Sequence, residues 1–191
     1  MANLYFYYGV MGSSKTAQAL MAAYNYEYQG QRVLLVKTDR DTRDGTRKIR
    51  SRIGIERDCV LLSELSKYPI DTYEAIIVDE IQFAAPEQID YLSDIVDYHD
   101  VPVVCYGLRA DFQGHLFPGS KRLLELADKI SEIKTTCWCG KKATFNARYG
   151  EDGIIKEGEQ VVLGSNDQYV GLCRFHWKTG DLGPSVKQDI K

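Results

Sequence analysis

No apolar run in these 191 residues approaches the roughly 20 needed to cross a bilayer, so neither a spanning segment nor a membrane partner is expected. The opening MANLYFYYGVMG lacks a charged stretch and a small-residue cleavage site, and no secretory signal is read there. Cysteine is scarce: five residues, unevenly placed, do not make a secreted disulfide scaffold. A reducing, cytoplasmic location is the expectation. An excess of one charge is missing too. Lys and Arg number 24 against 27 Asp and Glu, for a formal net charge of -3. The pI of about 5.7 argues against non-specific duplex binding, so no nucleic-acid partner is expected. Internal repeats and low-complexity tracts are absent. What remains is an ordinary globular composition, 44% hydrophobic and 27% charged. At 21.7 kDa it suits one compact domain plus a small accessory module.

The chain opens as strand, Gly-rich turn, helix and strand. Residues 3–8 read as a buried strand, 15–29 as a helix ended by Gly30, and 32–37 as a second strand. That is the start of a parallel α/β sheet. Residues 38–58 hold seven basic and five acidic residues with few apolar ones and read as a long polar loop. Further strands are expected at 59–62, 74–79 and 101–106, and a helix from Pro86 to about Tyr98. A Gly-containing loop over 107–120 and a helix near 120–127 follow. Beyond about 134 the texture changes to short alternating segments, glycines and late cysteines. The expected division is 1–134, 135–180 and a disordered tail at 181–191.

Three patterns carry chemistry. Residues 9–16, GVMGSSKT, approach the phosphate-loop pattern G-x-x-x-x-G-K-[ST], with Ser14 where the second glycine belongs. Backbone N–H groups of Gly9, Val10, Met11, Gly12, Ser13 and Ser14 can cradle phosphates at a helix N-terminus. Lys15 would reach the β- and γ-phosphates, and the Thr16 hydroxyl would bind Mg2+. If position 14 requires a positive φ, serine there costs roughly 1–2 kcal/mol. Next, IIVDEIQF at 76–83 is a hydrophobic strand ending in Asp79, the arrangement that helps hold magnesium. A carboxylate at Glu80 can take a proton from whatever attacks the γ-phosphate. Finally, Cys137-Trp138-Cys139 and Cys173-Arg174-Phe175-His176 form two short knuckles, with Cys173 34 positions after Cys139. Four ligands of Cys3His type suit a closed, structural Zn2+. Cys59 and Cys105, in apolar strand-like runs, read as core thiols.

Taken in order, these residues resemble the type II, zinc-containing thymidine kinases. GVMGSSKT, DTR at 41–43, SRIG at 51–54, DEIQF at 79–83, YGLRADFQGHLFPGS at 106–120, CWCGKKAT at 137–144, EGEQVVLGSNDQY at 157–169 and CRFH at 173–176 fall in family order. The resemblance runs from Leu4 to His176. The departures are Ser14 in place of glycine and C-x-C in place of the C-x-x-C of many members.

The resemblance implies a RecA-like P-loop α/β fold with a mainly parallel sheet and flanking helices, plus a small zinc-binding β-ribbon with a lasso loop. It implies ATP-dependent phosphorylation of thymidine at its 5′-hydroxyl, in pyrimidine deoxynucleoside salvage. Glu80 would be the general base, and Asp79, Thr16 and Gln82 would join the phosphate loop around Mg-ATP. Met11, Phe83, Phe112 and Phe117 would wall the base pocket, with Asn146 near the thymine methyl. Gln160, Val161, Val162, Leu163 and Gly164 would form the lasso on thymine, beside Tyr169. Feedback inhibition by dTTP and a homotetramer belong to the same resemblance. The competing reading is a P-loop ATPase whose zinc knuckle binds or remodels nucleic acid, although such motors need two lobes and 191 residues hold one.

Overall fold

Alternating aliphatic and aromatic residues decide how the sheet is covered. A computed structural model describes residues 1–40, 47–160, 168–184 and 186. Strands β1 (Leu4–Tyr8), β2 (Val33–Lys37), β5 (Val60–Leu61), β6 (Ala75–Asp79), β7 (Val103–Gly107) and β8 (Lys129–Glu132) form one sheet in the order β5-β2-β6-β7-β1-β8. Every pair in it is parallel. The period of two sends Leu4, Phe6, Leu34, Val36, Ile76, Val78, Val103 and Cys105 to one face. There they meet Ile89, Leu92, Ile95 and Val96 of α2 (Pro86–His99) and Leu123 of α3 (Pro118–Leu126). Leu35, Ile77, Val104, Tyr106, Tyr5 and Tyr7 point the other way, onto α1 (Lys15–Tyr28). That helix presents Ala19, Leu20 and Ala23. Its small alanines leave room for the tyrosines, of which Tyr7 and Tyr106 stack at 5.2 Å. A parallel sheet buried on both faces follows from these runs.

The segment expected to be a polar loop, 38–58, is not one throughout. Strands β3 (Lys48–Arg50) and β4 (Glu56–Asp58) pair antiparallel within it. Ile49 is buried beside Cys59, Leu35 and Ile77, while Lys48 and Arg50 face outward and ion-pair with Glu56. One buried isoleucine in a charged stretch was the signal, and net polarity hid it. Residues 41–46, with the DTR motif, lie outside the described residues. Other differences are smaller. The strand expected at 59–62 shortens to β5 and gives way to a 3₁₀ turn at Leu62–Lys67. Helix α3 starts inside the expected 107–120 loop, because Pro118 at its first position presets the helical φ. Edge strand β8, KISE, was missed because it is mostly exposed and carries no apolar alternation.

After β8 a second, antiparallel sheet forms from β9 (Phe145–Gly150), β10 (Gly153–Ile155) and β11 (Gln168–Leu172), in the order β10-β9-β11. Helix α4 (Arg174–Thr179) follows. Ala143, Ala147, Tyr149 and Leu172 make a separate small core with Leu182 and Val186. Leu182 and Val186 are buried against the ribbon; 185 and 187–191 lie outside the described residues. Val10 of the phosphate loop enters the same core, and a Cβ on Gly171 would come 2.8 Å from its Cγ2. The two sheets meet at the phosphate loop.

Candidate active site

All strands of the large sheet run the same way, so Tyr8, Lys37, Asp79 and Gly107 end at one edge. In open α/β sheets that carboxyl edge is where ligands bind. After β1 the chain turns through residues 9–14 into α1. A Cβ on Gly9 would lie 2.4 Å from Ser13 Oγ and 2.7 Å from the Ile133 carbonyl, so only glycine fits. Ser14 takes φ 64° and ψ 22°, the left-handed conformation. The positive φ that the phosphate-loop pattern implies is thus present with serine in place of glycine, at a cost of roughly 1–2 kcal/mol. Buried Lys15 donates from Nζ to the Val10 carbonyl at 2.8 Å.

Strand β6, AIIVD, is buried along its whole length and carries Asp79 into the site. Asp79 Oδ1 is buried and has no hydrogen-bond partner among the described residues. The Thr16 hydroxyl bonds to the same carboxylate. Burial first, and the charge of Glu80 second, push the Asp79 carboxyl up to about 7 against the pull of Thr16 and Lys15. An orphaned buried carboxylate oxygen beside a threonine hydroxyl and a lysine suits a hard divalent cation, which would restore the ionised form. Glu80 follows at φ 53°, again left-handed. A 3₁₀ turn at Ile81–Phe83 then brings Gln82 back: its Nε2 donates to Glu80 Oε2, and its Oε1 accepts from Leu108 N–H at 3.0 Å.

These groups open on one cavity of about 800 Å3. Met11, Gly12, Ser14, Lys15, Thr16, Asp79, Glu80 and Gln82 line it, as do Phe83, Phe112, Phe117, Asn146, Gln160 and Tyr169. Gly9, Val10 and Ser13 are not on its wall; Val10 and Ser13 are buried beneath the loop. Val161, Val162, Leu163 and Gly164 lie outside the described residues. Phe83 and Phe117 meet edge to face at 5.8 Å, and the Arg148 guanidinium lies 5.1 Å over Phe112. Asn146 is committed at both ends of its amide: Met11 N–H donates to its Oδ1 at 2.8 Å, and its Nδ2 donates to the Ala110 carbonyl at 2.9 Å. It ties β9 to the phosphate loop and to the segment after β7. Gln160 donates from Nε2 to Asp111 Oδ2 at 2.9 Å. Sequence reasoning placed Ser51, Arg52 and Asp111 in motifs without giving them a role and passed over Arg50 and Arg148; the β3–β4 hairpin brings Arg50, Ser51 and Arg52 to the cavity, and Asp111 and Arg148 hold its walls. The basic character of 38–58 was the available signal for the hairpin residues.

At the ribbon, the ligand atoms of Cys137, Cys139, Cys173 and His176 all lie within 4.8 Å of one another. Cys137 Sγ is 3.3 Å and Cys173 Sγ 3.6 Å from His176 Nδ1. Thiolates about 2.3 Å and an imidazole about 2.0 Å from a central ion give separations of this size, so the set fits tetrahedral zinc. Cys173 stands at the N-cap position of α4, where the His176 backbone N–H lowers its thiol, while burial raises that of Cys137. Trp138 stacks on His176 at 4.4 Å and fixes the ring. The shortened C-x-C still converges, because Gly140, at φ 82°, turns the chain directly after Cys139.

The family model for thymidine kinase matches residues 2–177. A thymidine kinase of Photobacterium profundum is 44% identical over 187 residues, covering 93% of this chain and 97% of that one. One from Haemophilus influenzae is 43% identical with the same coverage of both. Among solved structures, a DNA replication initiation factor matches with a TM-score of 0.43 at 15% identity, over 70% of this chain and 40% of that chain.

Proposed function

This chain belongs to the thymidine kinase family, and from that premise we propose that it moves the γ-phosphoryl group of ATP to the 5′-hydroxyl of thymidine with Glu80 as general base. The observation that carries the proposal is one cavity bearing both kinds of residue. Lys15, Thr16 and Asp79, with its unpartnered Oδ1, are on its wall with Glu80, and so are three phenylalanines. Phosphoryl transfer asks a protein for positioning and for charge stabilisation rather than covalent chemistry. Lys15 and the loop N–H groups would hold the phosphates, and Asp79 and Thr16 would hold Mg2+. Magnesium, when bound, neutralises charge on the phosphate oxygens. Glu80 would accept the 5′-hydroxyl proton as that oxygen attacks. Phe83, Phe112 and Phe117 would bracket the base, and the segment 160–164 with Tyr169 would cover it and exclude water, the competing acceptor.

The same reading assigns 1–134 to ATP and 135–180 to the zinc-held lasso. It includes a role in deoxynucleoside salvage, end-product inhibition by dTTP, a cytoplasmic location and assembly as a homotetramer. Among the described residues no helix is long and apolar enough to cross a membrane.

Glu80→Gln tests the base assignment. The amide keeps shape and removes the proton acceptor, so kcat should fall by ~10²–10⁴-fold while ATP and thymidine still bind in calorimetry. Turnover within about threefold of wild type would remove Glu80 from that role.

A further inference from the structure

The Gln82 side chain is 1% exposed, and both ends of its amide are committed. Leu108 N–H can only donate, so the Gln82 atom 3.0 Å from it is the oxygen. The amide nitrogen is therefore the other atom, and it faces Glu80 Oε2, which accepts from it. This orientation is forced by a backbone group rather than chosen. The turn that carries Gln82 is wedged from two sides. A Cβ on Gly107 would come 2.6 Å from Gln82 Oε1, and one on Gly119 would come 2.7 Å from the carbonyls of Ile81 and Ala84. Leu108 is itself held, since its carbonyl accepts from the Ser120 hydroxyl in α3. The end of β7 and the start of α3 thus fix the amide, and the amide reaches the carboxylate at the next-but-one residue.

We propose, on the reading of Glu80 as the base, that Gln82 is a positioning residue: it holds the Glu80 carboxylate in one orientation on the cavity wall. Glu80 sits at a left-handed backbone position directly after a buried strand, and its side chain has three rotatable bonds. A part-buried, charge-assisted hydrogen bond from a locked donor restricts those rotamers. The role is exerted through the carboxylate: the amide nitrogen donates to Glu80 and the oxygen accepts from Leu108 N–H.

The test is a double-variant cycle of Gln82→Met and Glu80→Gln, with kcat and KM for thymidine and Mg-ATP. Gln82→Met should lower kcat about 10- to 100-fold with both KM values within about threefold of wild type. In the Glu80→Gln background it should lower kcat no further, since an effect exerted through the carboxylate disappears with it. A side chain that merely supports the fold would reduce the double variant again by its own factor, and that additivity would overturn the proposal. So would wild-type kcat in Gln82→Met, or a raised KM alone. Full turnover in Glu80→Gln would instead fail the base reading, and Gln82 with it. If Gln82→Met does not fold, Gln82→Asn keeps a neutral amide but is one methylene too short to reach both Leu108 N–H and Glu80, with the same expectation.

Discussion

Ser14 and Glu80 are two of three non-glycine residues with positive φ among the described residues, and both lie in the site. A serine at φ 64° opens the helix after the phosphate loop, and a glutamate at φ 53° ends the strand that carries Asp79. Strain of this kind persists where the surroundings over-determine it, and it clusters at functional sites. It also makes a prediction. Ser14→Gly relieves roughly 1–2 kcal/mol of strain. It adds roughly 0.5–1 kcal/mol of unfolded-chain entropy. The net should lie between about zero and +1.5 kcal/mol in denaturant unfolding, with kinase activity kept. Ser14→Val should destabilise, because a β-branched side chain tolerates this region least. A Gly variant less stable than the Val variant would mean that the strain is not real. The positive φ here was legible from the phosphate-loop pattern alone; that of Glu80 was not, since nothing in VDEIQF marks the turn.

At the scale of elements, the ribbon is the part whose stability depends on few contacts. Its core is small, and two of its buried members, Cys137 and Cys173, belong to the Cys3His cluster that fits zinc. Zinc binding is then folding free energy for β9, β10 and β11. Cys173→Ser should lose the metal and lower unfolding free energy by at least ~4 kcal/mol, as for other lost metal sites. Elemental analysis and denaturant curves check both; a zinc-free variant as stable as wild type would make the cluster dispensable. Asn146 carries the consequence to the large sheet, since its amide joins β9 to Met11 and Ala110. The strands of the large sheet were readable because each is an apolar run between Gly, Pro or charged residues. The β3–β4 hairpin was hidden, since a single inward isoleucine between charged neighbours looks like loop. β8 was hidden for the opposite reason: an edge strand needs backbone partners, not apolar side chains. Residues at cavity walls were legible through motif order, whereas the bonds that hold them, such as Gln160 to Asp111 and Arg148 to the Glu159 carbonyl, link residues far apart or on different turns of the chain.

For the whole molecule, the parallel sheet gathers the phosphate loop, Asp79, Glu80 and Gln82 at one edge, and the ribbon closes against them through Val10, Gly171 and Asn146. One cavity, not two, serves both substrates in this account, so ATP turnover and nucleoside phosphorylation are one event. The most direct measurement is product analysis of the zinc-loaded protein with Mg-ATP, with thymidine, with single-stranded DNA and with neither. Thymidine should yield dTMP and ADP in equal amounts, and turnover without it should be on the order of 100-fold slower or less, because water is a poorly positioned acceptor. ATP hydrolysis stimulated by DNA, with no dTMP formed when thymidine is present, would contradict the account.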